Sequence, residues 1–260
     1  MAVRGKTANR PDHAARPRRS GLARTLSKLG FCSRSDAAGL ICGGRVAVNG
    51  TVRRDPEHPV TVHDTVTVDG QAVRAAEPVY LMMNKPRGLV TTASDEKGRS
   101  TVYSLLGSDL PWVSPVGRLD QASEGLLLFT NDSEWAARIT APECHVAKTY
   151  HVQIDALADD AMLSRLVNGI HDRGELLRVS RAIFLRGGAK NCWLELILGE
   201  GRNRHLRRMF AAVGVEVLRL LRVAIGPLKL GTLAKGEVRA LSSNEKKSLD
   251  ESMVGTPISW

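Results

Sequence analysis

Only four cysteines (Cys32, Cys42, Cys144, Cys192) occur in 260 residues and none forms a CxxC pair. That argues against a disulfide framework or a zinc ribbon and fits a reducing cytoplasm. The histidines show no HExxH spacing and Cys144-His145 alone is a poor ligand pair, so no metal is expected. Long apolar runs are also missing. The stretch Leu218 to Ile225 is interrupted by Arg219 and Arg222, so neither a bilayer span nor a membrane partner is expected. The first twenty residues lack the apolar core of a secretory signal, and Pro11 and Pro17 argue against an amphipathic targeting helix. The turns Gly187-Gly188 and Gly199-Glu200-Gly201 lack phosphate-loop and dinucleotide-binding contexts, which leaves nucleotide binding without support. Aromatic residues make up 4% of the chain, and nothing else in it suggests a glycan cleft.

What is abundant is positive charge. The formal net charge of +10 points to a polyanionic partner, because neutralising phosphates releases counterions and drives binding. Arg4, Lys6, Arg10, Arg16, Arg18 and Arg19 stand against Asp12 alone in residues 1–20. This segment is expected to be a disordered basic arm, serving either solubility or phosphate contact. At 43% hydrophobic content the chain can bury real cores, and two domains are expected.

Residues 21–70 carry the pattern of a small α+β module. A helix bearing Leu22, Leu26 and Leu29 ends at Gly30, and Ser33 or Ser35 caps a second helix running through Ile41. Asn49-Gly50 and Asp69-Gly70, each beside alternating β-prone residues, predict hairpins. Arg24, Lys28, Arg34, Arg45, Arg53 and Arg54 oppose only Asp36, giving the first half of the module a one-sided charge suited to RNA phosphates. A solvated arginine face on a packing domain is the alternative. Residues 71–78 make a short linker. A larger domain of irregularly alternating strands and helices is expected over 79–240, followed by a polar, partly helical tail over 241–260.

In residues 115–132 a polar loop bearing Arg118 and Asp120 runs into the apolar strand Leu126 to Phe129. A buried strand after a loop can hold a loop side chain at the mouth of a cleft, which makes Asp120 a catalytic candidate. An Asp in a loop is also a common turn former or salt-bridge partner. Glu124, four residues on, could suggest the paired carboxylates of a glycosidase, but organising the loop fits a basic chain better. From Asn203 onward, Leu206, Met209, Phe210 and Val213 recur at helical spacing while Arg204, Arg207 and Arg208 share another face.

Two resemblances extend this reading. RTLSKLGFCSRSDAAGLICGGRVAVNG resembles an S4 RNA-binding domain. GRLDQASEGLLLFTND resembles the signature of pseudouridine synthases, and NKPRGLVTT that of their RsuA branch, which acts on ribosomal RNA. KTYHVQI (148–154) and EGRNRHLRRMF (200–210) follow in the family's order. The resemblance implies an α+β chain: an S4-like module, then a mixed, largely antiparallel-sheet catalytic domain. It implies isomerisation of uridine to pseudouridine with Asp120 attacking base or ribose, Tyr150 stacking on the flipped base, and Arg207 pairing with Asp120.

No cofactor is required, since an isomerisation needs no redox partner or energy donor. Arg24, Lys28, Arg34, Arg45, Lys85, Arg118, Arg204 and Arg208 are expected to contact RNA. Ribosomal RNA is the expected partner, large-subunit RNA preferred over small, and the protein is expected to be a monomer. A non-catalytic ribosome-assembly protein of the same fold is the rival reading, against which Asp120, Tyr150 and Arg207 argue.

Overall fold

A computed structural model describes residues 19–253; the expected basic arm therefore lies almost wholly outside the described residues. The chain divides into two units between Arg74 and Ala75.

In the first unit, β1 (Ser20–Gly21) precedes α1 (Leu22–Lys28) and α2 (Arg34–Cys42), and β2 (Val46–Val48), β3 (Thr51–Arg53), β4 (Pro59–Val60), β5 (Val66–Val68) and β6 (Gln71–Ala72) follow. Ser33, not Ser35, caps α2, accepting from the Asp36 backbone N–H at 3.0 Å. Asn49-Gly50 and Asp69-Gly70 both have positive φ at their two positions, as a type I′ hairpin turn demands. They join β2 to β3 and β5 to β6 in a sheet ordered β3-β2-β5-β6. Leu22, Leu26, Ile41, Val46 and Val66 bury themselves between the helices and this sheet. The linker expected to begin at residue 71 begins later, because Gln71 and Ala72 pair with Val68 and Thr67.

The second unit contains β7 (Tyr80–Lys85), β8 (Ser114–Val116), β9 (Glu124–Thr130), α3 (Ser133–Thr140), β10 (Lys148–Ile154) and α4 (Asp160–Asn168). The hairpin β11 (Ile170–Asp172) and β12 (Glu175–Leu177) follows, then β13 (Arg181–Gly187), β14 (Cys192–Leu198), α5 (His205–Ala211), β15 (Val217–Ile225), β16 (Leu228–Lys229), β17 (Val238–Ala240) and α6 (Ser243–Ser252). Nine strands form one mixed sheet whose main path is β13-β14-β10-β15-β9-β7-β17. Only the β15–β9 pairing is parallel; the others are antiparallel. All seven residues of β9 are buried, because its two faces serve different cores. Leu126 and Leu128 pack with Trp135, Ile139 and Leu249, while Leu127 and Phe129 pack with Leu81, Met83 and Leu119.

Gly125 has φ +101, and a Cβ there would sit 2.3 Å from the Arg222 carbonyl oxygen. Only glycine lets β9 approach β15 this closely, immediately after the loop that carries Asp120.

The helix expected within residues 241–260 is present as α6, but residues 241–253 are packed into the fold rather than left as a tail. Ser242 and Glu245 form a reciprocal capping box at the start of α6. Leu249 and Met253, one turn apart, enter the core beside Trp135, whose indole N–H donates to Asp250 at 2.8 Å. Two apolar residues in a charged stretch give little periodic signal, yet they suffice to dock a short helix.

Candidate active site

Asp120 sits on the loop entering β9 and lines a cavity of about 500 Å³ together with Arg118, Lys148, Tyr150, Arg204 and Arg222. Its loop is held through its backbone. Five consecutive carbonyls, from Leu119 to Ser123, each accept a hydrogen bond. Thr91 Oγ1 donates to Leu119 O at 2.8 Å, and the Gly88 N–H donates to Gln121 O at 2.8 Å. Lys85 Nζ donates to Asp120 O at 3.2 Å and to Ser123 O at 2.9 Å. Arg207 Nη2 donates to Ala122 O at 3.2 Å. A loop restrained at every residue loses little further entropy when its side chain must meet a substrate.

Two expected RNA contacts are thereby reassigned. Lys85 is fully buried; besides the loop it donates to Pro86 O at 3.0 Å, so it faces carbonyls rather than phosphates. Burial pushes its ammonium down to about 8, with Asp120 and Glu124 acting against that shift. Arg208 donates to Asp172 and Glu175, each at 2.6 Å, and ties α5 to the β11–β12 hairpin.

The ion pair to Asp120 also differs from expectation. Arg204 Nη1 lies 3.5 Å from the Asp120 carboxylate, whereas Arg207 holds the loop by Ala122 O and its neighbouring strand by Val217 O at 3.0 Å. Burial lowers the Arg207 pKa, the Arg204 charge adds to that, and Asp120 opposes it. Arg204 has φ 48, a left-handed conformation that a non-glycine residue adopts at some cost. It directs α5 into the site from its first turn.

Tyr150 lies on β10 and packs partly against two cores, leaving one side to the cavity. Glu124 is 1% exposed at its side chain and pairs with Arg219 and Lys235. Burial raises its pKa, but the two cations outweigh burial and hold it below the usual carboxylate value. It is an organiser of the loop's exit into β9. In the first unit, Arg24, Lys28 and Arg34 are exposed, whereas Arg45 is engaged with Asp69 through Nε at 2.9 Å. Among the described residues no group of three His, Cys, Asp or Glu side chains could hold a metal ion, and no helix is long and apolar enough to cross a membrane.

Sequence reasoning treated Lys85 and Arg207 as charges that meet charges. The signal that could have placed Lys85 inside is its position at the end of the apolar strand YLMMNK. Lys148 and Arg222, both on the cavity wall, were not singled out as site residues; Arg222 interrupts the apolar run of β15, a charge set among buried neighbours much as Lys85 is at the end of β7.

So heavily braced a loop, presenting one carboxylate to a cavity walled by cations, defines an enzyme for a phosphate-bearing substrate. Within that class, the chain belongs to the RNA pseudouridylate synthase family, whose model matches residues 79–212. A model of the S4 domain matches residues 21–66. The ribosomal large subunit pseudouridine synthase B of Bacillus subtilis (strain 168) is 36% identical over 88% of this chain and 94% of its own length. An RNA pseudouridine synthase of Aquifex aeolicus (strain VF5) is 39% identical over 86% of this chain and 91% of its own. A solved pseudouridylate synthase superposes with a TM-score of 0.63 at 30% identity, covering 88% of this chain and 99% of its own.

Proposed function

We propose that this enzyme isomerises uridine in ribosomal RNA to pseudouridine in the cytoplasm, with Asp120 as the nucleophile and large-subunit RNA as its substrate. The Bacillus relative named for the large subunit supports the choice of RNA. The observation that carries the chemistry is the bracing of Asp120: its backbone is held on both sides while its carboxylate faces the cavity beside Tyr150.

In this reading the target uridine leaves the RNA stack and its base packs on Tyr150. The Asp120 carboxylate adds to the nucleoside, the bond from ribose C1′ to N1 breaks, and a bond from C1′ to C5 forms. The C5 proton is lost, N1 gains one, and Asp120 is released unchanged, so substrate and product have equal mass. A covalent nucleophile divides the exchange into easier steps. Arg204 pairs with the carboxylate at 3.5 Å and orients it toward the base, and Arg207 fixes the loop. Arg118, exposed on the same loop, helps extrude the base or contacts a phosphate, and Arg24, Lys28 and Arg34 grip flanking RNA.

Asp120→Asn preserves shape and removes the nucleophile. Pseudouridine mapping in both ribosomal RNAs from cells carrying either version is expected to show loss of at least one large-subunit site. Retention of every site would overturn the role of Asp120, and loss confined to small-subunit RNA would overturn the choice of substrate.

A further inference from the structure

The cavity has a second pair of cations that the isomerisation leaves unused. Arg222 and Lys148 both line it. Arg222 lies directly opposite Tyr150 across the β10–β15 pairing, at an irregularity in the register. Lys148 is two residues before Tyr150 on β10, so strand alternation puts its side chain on the same face as the tyrosine. Aromatic ring, guanidinium and ammonium thus share one wall.

Arg222 is 5% exposed. Its Nε donates to Leu126 O at 2.7 Å, but its buried Nη2 has no hydrogen-bond partner among the described residues. Lys148 Nζ makes one long bond, 3.4 Å to Ile139 O. No carboxylate among the described residues lies within ion-pair distance of either. Burial and the Arg222 charge together push the Lys148 ammonium down to about 8. Lys85, Arg204 and Arg207, by contrast, have each found a carboxylate or several carbonyls. Two adjacent like charges without an anion, Arg222 buried and Lys148 half-buried, are costly to keep in the folded chain. Their cost is recovered when a ligand brings the missing negative charge into the cavity.

We propose that Arg222 and Lys148 form a phosphate site, which takes a backbone phosphate of the nucleotide whose base packs on Tyr150. This rests on the pseudouridine synthase reading for the identity of that nucleotide as a uridine. The site fixes the ribose between two points, the base at Tyr150 and the phosphate at Arg222, and so aligns the glycosidic bond with Asp120. A phosphate also brings the negative charge that Arg222 and Lys148 lack, which a neutral uracil carbonyl does not.

The test is binding of uridine, uridine 5′-monophosphate and uridine 3′-monophosphate to the full chain by calorimetry, in parallel with Arg222→Gln, Lys148→Gln and Arg222→Lys. One of the monophosphates is expected to bind about tenfold more tightly than uridine, as a charge-assisted contact provides. That advantage should vanish in Arg222→Gln, shrink in Lys148→Gln and survive in part in Arg222→Lys, with uridine binding little changed. Arg186→Gln removes an exposed charge that is not among the residues lining this cavity and should leave the advantage intact. If Arg222→Gln melts early, Lys148→Gln and Arg222→Lys carry the comparison. The proposal fails if neither monophosphate outbinds uridine, if the advantage persists in Lys148→Gln, or if Arg186→Gln removes it as well. Because no turnover is measured, the result stands apart from whether Asp120 isomerises uridine.

Discussion

The residues that matter most for Asp120 act on its backbone. Lys85 holds two of the five loop carbonyls and, with Arg207 on one that lies between them, leaves the segment 120–123 no alternative path. Removing the ammonium strands buried acceptors, each worth about 1–3 kcal/mol when unsatisfied, while relieving the cost of a buried charge. Lys85→Met is therefore expected to lower stability by about 2–4 kcal/mol. With Asp120 as the proposed nucleophile, it should reduce kcat roughly a hundredfold with KM nearly unchanged, because displacing that carboxylate weakens the chemical step more than RNA binding. Thermal melts and single-turnover kinetics at saturating RNA check this. A rise in KM with unchanged kcat would restore Lys85 to the RNA surface where its charge first suggested it.

At the scale of elements, α6 shows how a polar segment earns its place. Glu245 closes the capping box and also binds Arg239, with Oε1 2.7 Å from Nη2. The Arg239 partnership holds its carboxyl down at about 2 against the opposing effect of burial. A carboxyl lowered in the folded state contributes stability that is whole above its ordinary value near 4.5 and is lost as pH falls toward 2. Arg239 is exposed and Glu245 only partly so, so solvent screens part of the ion pair, and the cap adds its own share. Glu245→Ala is expected to cost about 1 kcal/mol, Glu245→Gln less, and both to flatten the acid dependence. Amide exchange over 243–252 at neutral and acid pH measures it; equal protection in all three proteins would contradict the cap. The same contrast explains what the sequence made legible. The Asn49-Gly50 and Asp69-Gly70 hairpins, the Ser33 cap and the strand after Asp120 are local, written in neighbouring residues. The burial of Lys85 depends on partners 35 and 38 residues away, the close approach at Gly125 on Arg222, 97 away, and the strand order of the large sheet on pairs as far apart as Leu81 and Ala240, 159 residues, which no local window contains. Arg204 and Arg207 fall between: the helix was legible, but which arginine meets the carboxylate depends on a left-handed residue at its start.

At the scale of the whole molecule, charge separates two jobs. Within the S4 unit Arg24 and Lys28 are one turn apart on α1, and Arg34 opens α2, all exposed. Among the described residues no carboxylate pairs with any of the three, in contrast to Arg45 and Asp69. If these cations meet RNA phosphates as proposed, they act by releasing counterions, and each phosphate left without its cation reduces the slope of log affinity against log salt by roughly 0.7 to 0.9. Replacing Arg24, Lys28 and Arg34 with Gln is thus expected to shallow that slope by about 2 and weaken binding at low salt by more than tenfold. Affinities for a ribosomal RNA fragment across a salt series supply the measurement. The rate of isomerisation once RNA saturates the enzyme should not change, because the Asp120 loop draws all its braces from the second unit. An unchanged slope would mean that these cations are a solvated face. A slope reduced together with the saturated rate would mean that the S4 unit also shapes the substrate for the cleft, making grip and chemistry one function rather than two.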